Sequence, residues 1–80
     1  MAQESPSSLR RALDLLDALA SDAAVADGGW GVNRVAAQQR RDKSQVSRTL
    51  RDLAEAGWVE RDNVSMAYRL GFHLQTAGNL

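Results

Sequence analysis

The chain has 80 residues, with 10 lysines and arginines balanced by 10 acids, a single histidine and no cysteine. That length allows one small domain with a modest core; the lack of cysteine excludes disulfides, zinc–thiolate sites and thiol nucleophiles, and the lone His73 excludes a site built from several imidazoles. Residues 1–8 lack a basic segment followed by an apolar one, and no apolar run approaches membrane-spanning length, so a soluble, cytoplasmic chain without membrane contact is expected.

In chain order, residues 1–6 read as a disordered lead. Ser7 or Ser8 is expected to cap a first helix reaching about Ala20, with Leu9, Ala12, Leu13, Leu16, Leu19 and Ala20 as its inward stripe. Leu15 falls off that stripe, either exposed or free to meet a partner. The Ala/Asp/Gly-rich segment from Ser21 to Gly29 reads as a mobile connection. Trp30 to about Arg40 is expected to form a short second helix, with Val32, Val35 and Ala36 inward and Trp30 as an apolar anchor ahead of it. A third helix follows within one or two residues, a spacing that suits a helix-turn-helix.

Residues 42–56 form that third helix. Asp42 can accept from the free N–H groups of the first turn while Gln45 reaches back, a capping box. Gly57 supplies a left-handed stop. At about 100° per residue, Val46, Leu50, Leu53 and Ala54 share roughly one quadrant. Ser44, Arg48 and Arg51 point the other way, with Gln45 beside them. Short polar side chains and arginine on the first turns of a helix match the hydrogen-bonding edges of bases and the phosphates, which marks a candidate DNA-reading helix.

Past Gly57 the pattern changes to period two. Residues 58–61 and 66–70 read as two strands of a hairpin, separated by the polar tip Asp62-Asn63-Val64-Ser65. Gly71 breaks the second strand, and Phe72 to Leu80 is expected to open a further helix with Phe72, Leu74 and Ala77 as its apolar positions. The expected division is therefore a lead over 1–6, a domain over 7–70 and the start of a linker helix over 71–80. The fold class is mostly α with a small β-hairpin.

Charge is zero overall but uneven. Residues 34–51 hold Arg34, Arg40, Arg41, Lys43, Arg48 and Arg51 against Asp42 alone, whereas the segments on either side are net acidic. Charges beyond about 8–10 Å are screened at cellular salt, so this local cation cluster matters more to a phosphate than the sum does.

Three helices followed by a two-stranded wing make a winged helix-turn-helix, and the wording of this one resembles the amino-terminal domain of IclR-type bacterial transcriptional regulators. The pieces that carry the resemblance are Arg11-Ala12-Leu13-Asp14-Leu15-Leu16, Val35-Ala36, Lys43-Ser44-Gln45-Val46-Ser47-Arg48-Thr49-Leu50, Leu53-Ala54-Glu55-Ala56-Gly57-Trp58-Val59 and Tyr68-Arg69-Leu70-Gly71, spread over about residues 8 to 78. The resemblance implies a homodimer that binds a palindromic double-stranded DNA operator; its seam is expected on helix one and the linker helix, at Leu15, Phe72 and Leu74, which lie off the inward stripe or in the linker. It also implies a small-molecule effector, sensed only by a further domain that these residues do not contain. The sequence departs from the family at Arg40-Arg41, where a glycine and an apolar residue are usual, and at Gly31, where Ser or Thr commonly caps the second helix.

On this reading Ser44, Gln45 and Arg48 are the base-edge candidates, since Gln pairs with adenine, Arg with guanine and Ser with either. Arg51 and Ser47 flank them. Arg40, Arg41 and Lys43 are expected on phosphates, Arg11 on a phosphate as the resemblance implies, and Arg61, Asn63 and Ser65 on backbone or minor groove at the wing. The plainer alternatives are surface ion pairs, Arg48 with Asp52 and Arg51 with Glu55, and a solvated turn and hairpin tip. Trp30, Trp58, Tyr68 and Phe72 are expected in packing rather than base stacking, and His73 on the linker surface. No base–nucleophile pair, carboxylate dyad or phosphate-cradling glycine loop is apparent, so neither an enzyme nor a cofactor is expected. The competing reading is a winged helix that docks on another protein.

Overall fold

A computed structural model describes residues 7–71; the lead over 1–6 and the expected linker helix with Phe72, His73 and Leu74 lie outside the described residues. The elements run α1 (Ser7–Leu19), α2 (Asp22–Ala26), α3 (Val32–Gln39), α4 (Lys43–Glu55), β1 (Val59–Arg61) and β2 (Tyr68–Leu70). The two strands pair antiparallel, with Val59 opposite Leu70, Glu60 opposite Arg69 and Arg61 opposite Tyr68. This is the expected fold class, three long helices and a wing, with one extra helical turn.

α1 departs from its expected phase. Leu15, Ala18 and Leu19 are its buried residues, with Ala12 and Leu16 packed against them. Leu9 and Leu13, expected inward, are 53% and 55% exposed, and Ala20 is exposed as well. Leu15 has no exposed surface at all, so it belongs to the core and not to a partner. The reason is that α1 carries leucine on two adjacent stripes. Periodicity detects both, and only the position of α3 and α4 decides which one is covered. Helix α1 also takes in both Ser7 and Ser8, so neither stands at the capping position expected of it.

The segment read as a mobile connection holds α2 instead. Ser21 caps it, its Oγ accepting from the Ala24 N–H at 3.2 Å while donating to the Ala18 carbonyl at 2.7 Å. Ala24, on its inner face, is fully buried. A five-residue helix lacks the length to show a periodic pattern, and its stability comes from that cap and from tertiary packing.

α2, α3 and α4 end alike. In each, the residue after the last turn takes a left-handed conformation, and the next N–H bonds back five residues: Gly29 to Ala24, Arg41 to Ala36 and Trp58 to Leu53, at 2.9, 3.0 and 2.9 Å. Gly28 and Gly57 hold two of these positions, as this motif prefers. The third is Arg40, at φ 56, where a Cβ crowds the following carbonyl. The tight turn expected between the second and third sequence helices therefore forms without its usual glycine, at a local cost.

The core gathers Leu15, Leu19, Val35, Val46 and Leu50 as its most enclosed side chains, with Trp30, Leu53, Val59 and Tyr68 around them. Full burial of each such aliphatic group contributes roughly 1.5–3 kcal/mol. Trp30 is tied down on three sides. Its backbone bridges Tyr68 of β2, its Nε1 donates to Asp27 Oδ2 at 2.9 Å, and the Arg34 guanidinium lies 4.6 Å from the ring centre.

Candidate nucleic-acid interface

Helix α4 is held by its ends and by one face. Asp42 Oδ2 accepts from the Gln45 N–H at 3.1 Å at the start, although the reciprocal bond of a capping box is not formed. Gly57 closes the far end at φ 89. Val46, Leu50 and Leu53 are the buried residues of the helix, so the expected seam turns inward. Ser44, Arg48 and Arg51 stand exposed in consequence, while Gln45 and Ser47 are half-buried at the flanks. The Thr49 hydroxyl is taken by the Gln45 carbonyl at 2.9 Å and faces neither way freely.

The exposed face opens into grooves. One, of about 510 Å³, is lined by Val32, Lys43, Ser44, Ser47, Arg48 and Arg51. A neighbouring one, of about 390 Å³, shares Val32 and Ser47 and continues past Asn33 to Arg61 and Ser65 of the wing. Helix α4 and the wing thus border one continuous surface, with Ser47 in the middle. Asn33, in the first turn of α3, joins it although nothing in its local sequence marks it. Arg48 also borders a third groove, between α4 and α1, where Gln45 and Arg11 lie.

The cations divide in a way that charge counting does not show. Neither Arg48–Asp52 nor Arg51–Glu55 forms an ion pair among the described residues, so those guanidinium groups are open to a ligand. Arg11 is half-buried with its Nε enclosed and unpartnered, and no acid among the described residues holds it. Arg40 and Lys43 are exposed at the turn. Arg34, by contrast, is drawn toward Asp27 at 3.8 Å and over Trp30. Arg41, also expected on a phosphate, donates to Asp14 of α1 at 2.5 Å. A partner 27 residues away in the chain left no signal near Arg41 in the sequence.

At the wing, Asp62 shapes the tip. Its Oδ2 accepts from the Val64 and Ser65 N–H groups at 3.1 and 2.6 Å. The Ser65 N–H, more than any other neighbour, holds the carboxyl below its usual 3.8. Arg61 donates to Met66 Sδ at 3.2 Å, and Asn63 stands exposed at the tip. No helix among the described residues is long and apolar enough to cross a membrane.

An inward apolar seam, an outward serine–arginine face and a wing beside it define a winged helix-turn-helix of the DNA-binding, transcription-regulating class. The family profile described as the IclR helix-turn-helix domain matches residues 8–63, and the chain belongs to that family. Among solved structures, an IclR family transcriptional regulator from Brucella abortus superposes with a TM-score of 0.78 at 22% identity, over 96% of this chain and 28% of that one. HmgR of Pseudomonas aeruginosa superposes at 0.74 with 26% identity, over 92% of this chain and 29% of that one. The chain thus spans under a third of the length of either structure. No curated protein sequence matches it closely.

Proposed function

We propose that this chain reads double-stranded DNA in a sequence-specific way for a transcriptional regulator, with α4 in the major groove and the wing on the flanking backbone. Ser44, Gln45 and Arg48 meet base edges; Arg11, Arg40, Lys43 and Arg51 meet phosphates; Arg61, Asn63 and Ser65 contact backbone or minor groove. The observation that carries this reading is the exposed face of α4, where Ser44, Arg48 and Arg51 have no side-chain partner among the described residues while the aliphatic seam is covered.

The same reading makes the protein a homodimer on a palindromic operator. Two half-sites would lie about one helical turn apart, or a multiple of it. The exposed face of α1 supports this, because Leu13 shares a shallow apolar cleft with Trp58 and Leu70, which are also exposed. We place the dimer seam there, continued by the linker. An effector would act through a further domain, which is consistent with the greater length of the two similar structures. No catalytic step is assigned, and the cytoplasm is the compartment this role requires.

A salt titration tests the proposal. Phosphate contact makes log affinity fall by roughly 0.9 per phosphate neutralised for each unit of log salt. A chain that shows no DNA retention at low salt sinks it and leaves the protein-docking winged helix. Selection from a random DNA pool then reports target, symmetry and spacing together. On the selected site Arg48→Ala should cost about 1–3 kcal/mol with relaxed preference at one base pair.

A further inference from the structure

Arg41 carries a charge suited to phosphate, yet its side chain is engaged inside the molecule. Its Nη2 meets Asp14 Oδ2 at 2.5 Å, the two side chains being 26% and 36% exposed. Among the described residues this is the one ion pair that joins α1 to the helix-turn-helix. Its position gives it leverage. Asp14 follows Leu13, which stands out on the apolar face of α1, and Arg41 directly precedes Asp42, the cap of α4. The Arg41 N–H is itself bonded to the Ala36 carbonyl at 3.0 Å. The turn before the reading helix is thus fastened twice, by backbone to α3 and by the ion pair to α1.

We propose that the Arg41–Asp14 pair is a positioning clamp, which sets the first turn of α4 against α1 and so aims Ser44 and Gln45 at the bases. This rests on the DNA-reading proposal above. Neither residue touches DNA in this role; both act through the orientation of α4. The guanidinium is suited to it, because its planar fork holds direction as well as charge. A lysine at 41 keeps the charge and loses that direction.

The sign of one substitution separates the clamp from its alternatives. An acid near a phosphate-binding face repels DNA, so if Asp14 is a bystander, Asp14→Asn strengthens binding. The clamp requires the reverse. With the full chain at a temperature where melting curves show every variant folded, Asp14→Asn and Arg41→Gln should each weaken binding to the selected site by roughly three- to tenfold. Affinity for random DNA should not fall under Asp14→Asn, since removing an acid favours sequence-independent phosphate contact, and the double variant should lose no more than either single one.

The slope of log affinity against log salt should be unchanged by Arg41→Gln, whereas an Arg41 that sat on a phosphate would take about 0.9 from the slope when replaced. A readout without DNA keeps the two proposals separable. Amide exchange at Arg41 and Gln45 should quicken in Asp14→Asn, with the α1 core amides unaffected. Should the wild-type chain bind no DNA, the reading role fails, and exchange alone decides the clamp. Tighter specific binding by Asp14→Asn, a reduced salt slope in Arg41→Gln, or unchanged exchange at both amides each overturns it.

Discussion

The main chains of Trp30 and Tyr68 exchange two hydrogen bonds, Trp30 N–H to the Tyr68 carbonyl at 2.9 Å and Tyr68 N–H to the Trp30 carbonyl at 2.7 Å. This antiparallel bridge fastens the residue just ahead of α3 to the free side of β2. Helix-turn-helix and wing are therefore joined by backbone as well as by side-chain packing, which fixes their relative placement.

Gly29 makes that approach possible. A Cβ there would lie 2.5 Å from the Tyr68 carbonyl oxygen, at a φ of +117. Gly29→Ala is expected to destabilise the domain by roughly 2–4 kcal/mol, combining backbone strain with the clash. Gly28 has φ +81 and open space around its missing Cβ, so Gly28→Ala should cost only about 1 kcal/mol. Denaturant melts of both variants check this, and equal destabilisation would contradict the steric account.

Arg40 holds a left-handed cap at φ 56 that glycine fills without strain. Arg40→Gly should raise stability by about 1 kcal/mol, a rise of roughly 4–8 °C in melting temperature for a domain of this size. The same change should lower the salt slope of DNA binding by about 0.9 if Arg40 meets a phosphate. A more stable variant with an unaltered slope would remove Arg40 from the interface.

Leu15 and Leu13 offer a matched pair on one helix. Leu15→Ala empties a fully buried position and should cost about 2–5 kcal/mol. Leu13 is 55% exposed, so Leu13→Ala should stay within about 0.5 kcal/mol in the monomer. Its effect is expected instead in sedimentation, as a weaker dimer. Unchanged self-association would argue against a seam on α1.

Asp62 links pH to the wing tip. Its carboxyl is depressed below 3.8, chiefly by the Ser65 N–H, so the folded form binds the proton less readily than the unfolded chain does. The stabilisation is then present above the unfolded value and lost as pH falls through the folded one. Carbon-detected titration should place the Asp62 midpoint below 3.8, with the Val64 and Ser65 amide signals moving along with it. A midpoint that is not lowered would mean the tip bonds are absent in solution.

Much of this was legible residue by residue. The third sequence helix, its Asp42 cap, its Gly57 stop and its Val46–Leu50–Leu53 seam depend on local chemistry and a single apolar stripe, and they formed as expected. The hairpin formed too, but with shorter strands than expected, Val59–Arg61 and Tyr68–Leu70, because Met66 takes a left-handed conformation and lengthens the turn. α2 escaped notice because five residues cannot show a period. Asn33 lines the same groove as Ser47 and the wing, a placement that nothing among its neighbours in sequence signals.

What the order of amino acids determined by itself was carried by short-range rules: the cap and glycine stop of α4, its inward seam, the hairpin and the family wording. What tertiary structure alone decided was which of two leucine stripes on α1 is covered, where Arg34 and Arg41 spend their charge, and how Trp30 meets Tyr68. The difference is physical. Capping and periodicity act within a turn or two of chain, whereas the burial of Leu15 and the grip of Asp14 on Arg41 exist only once distant segments are packed against one another.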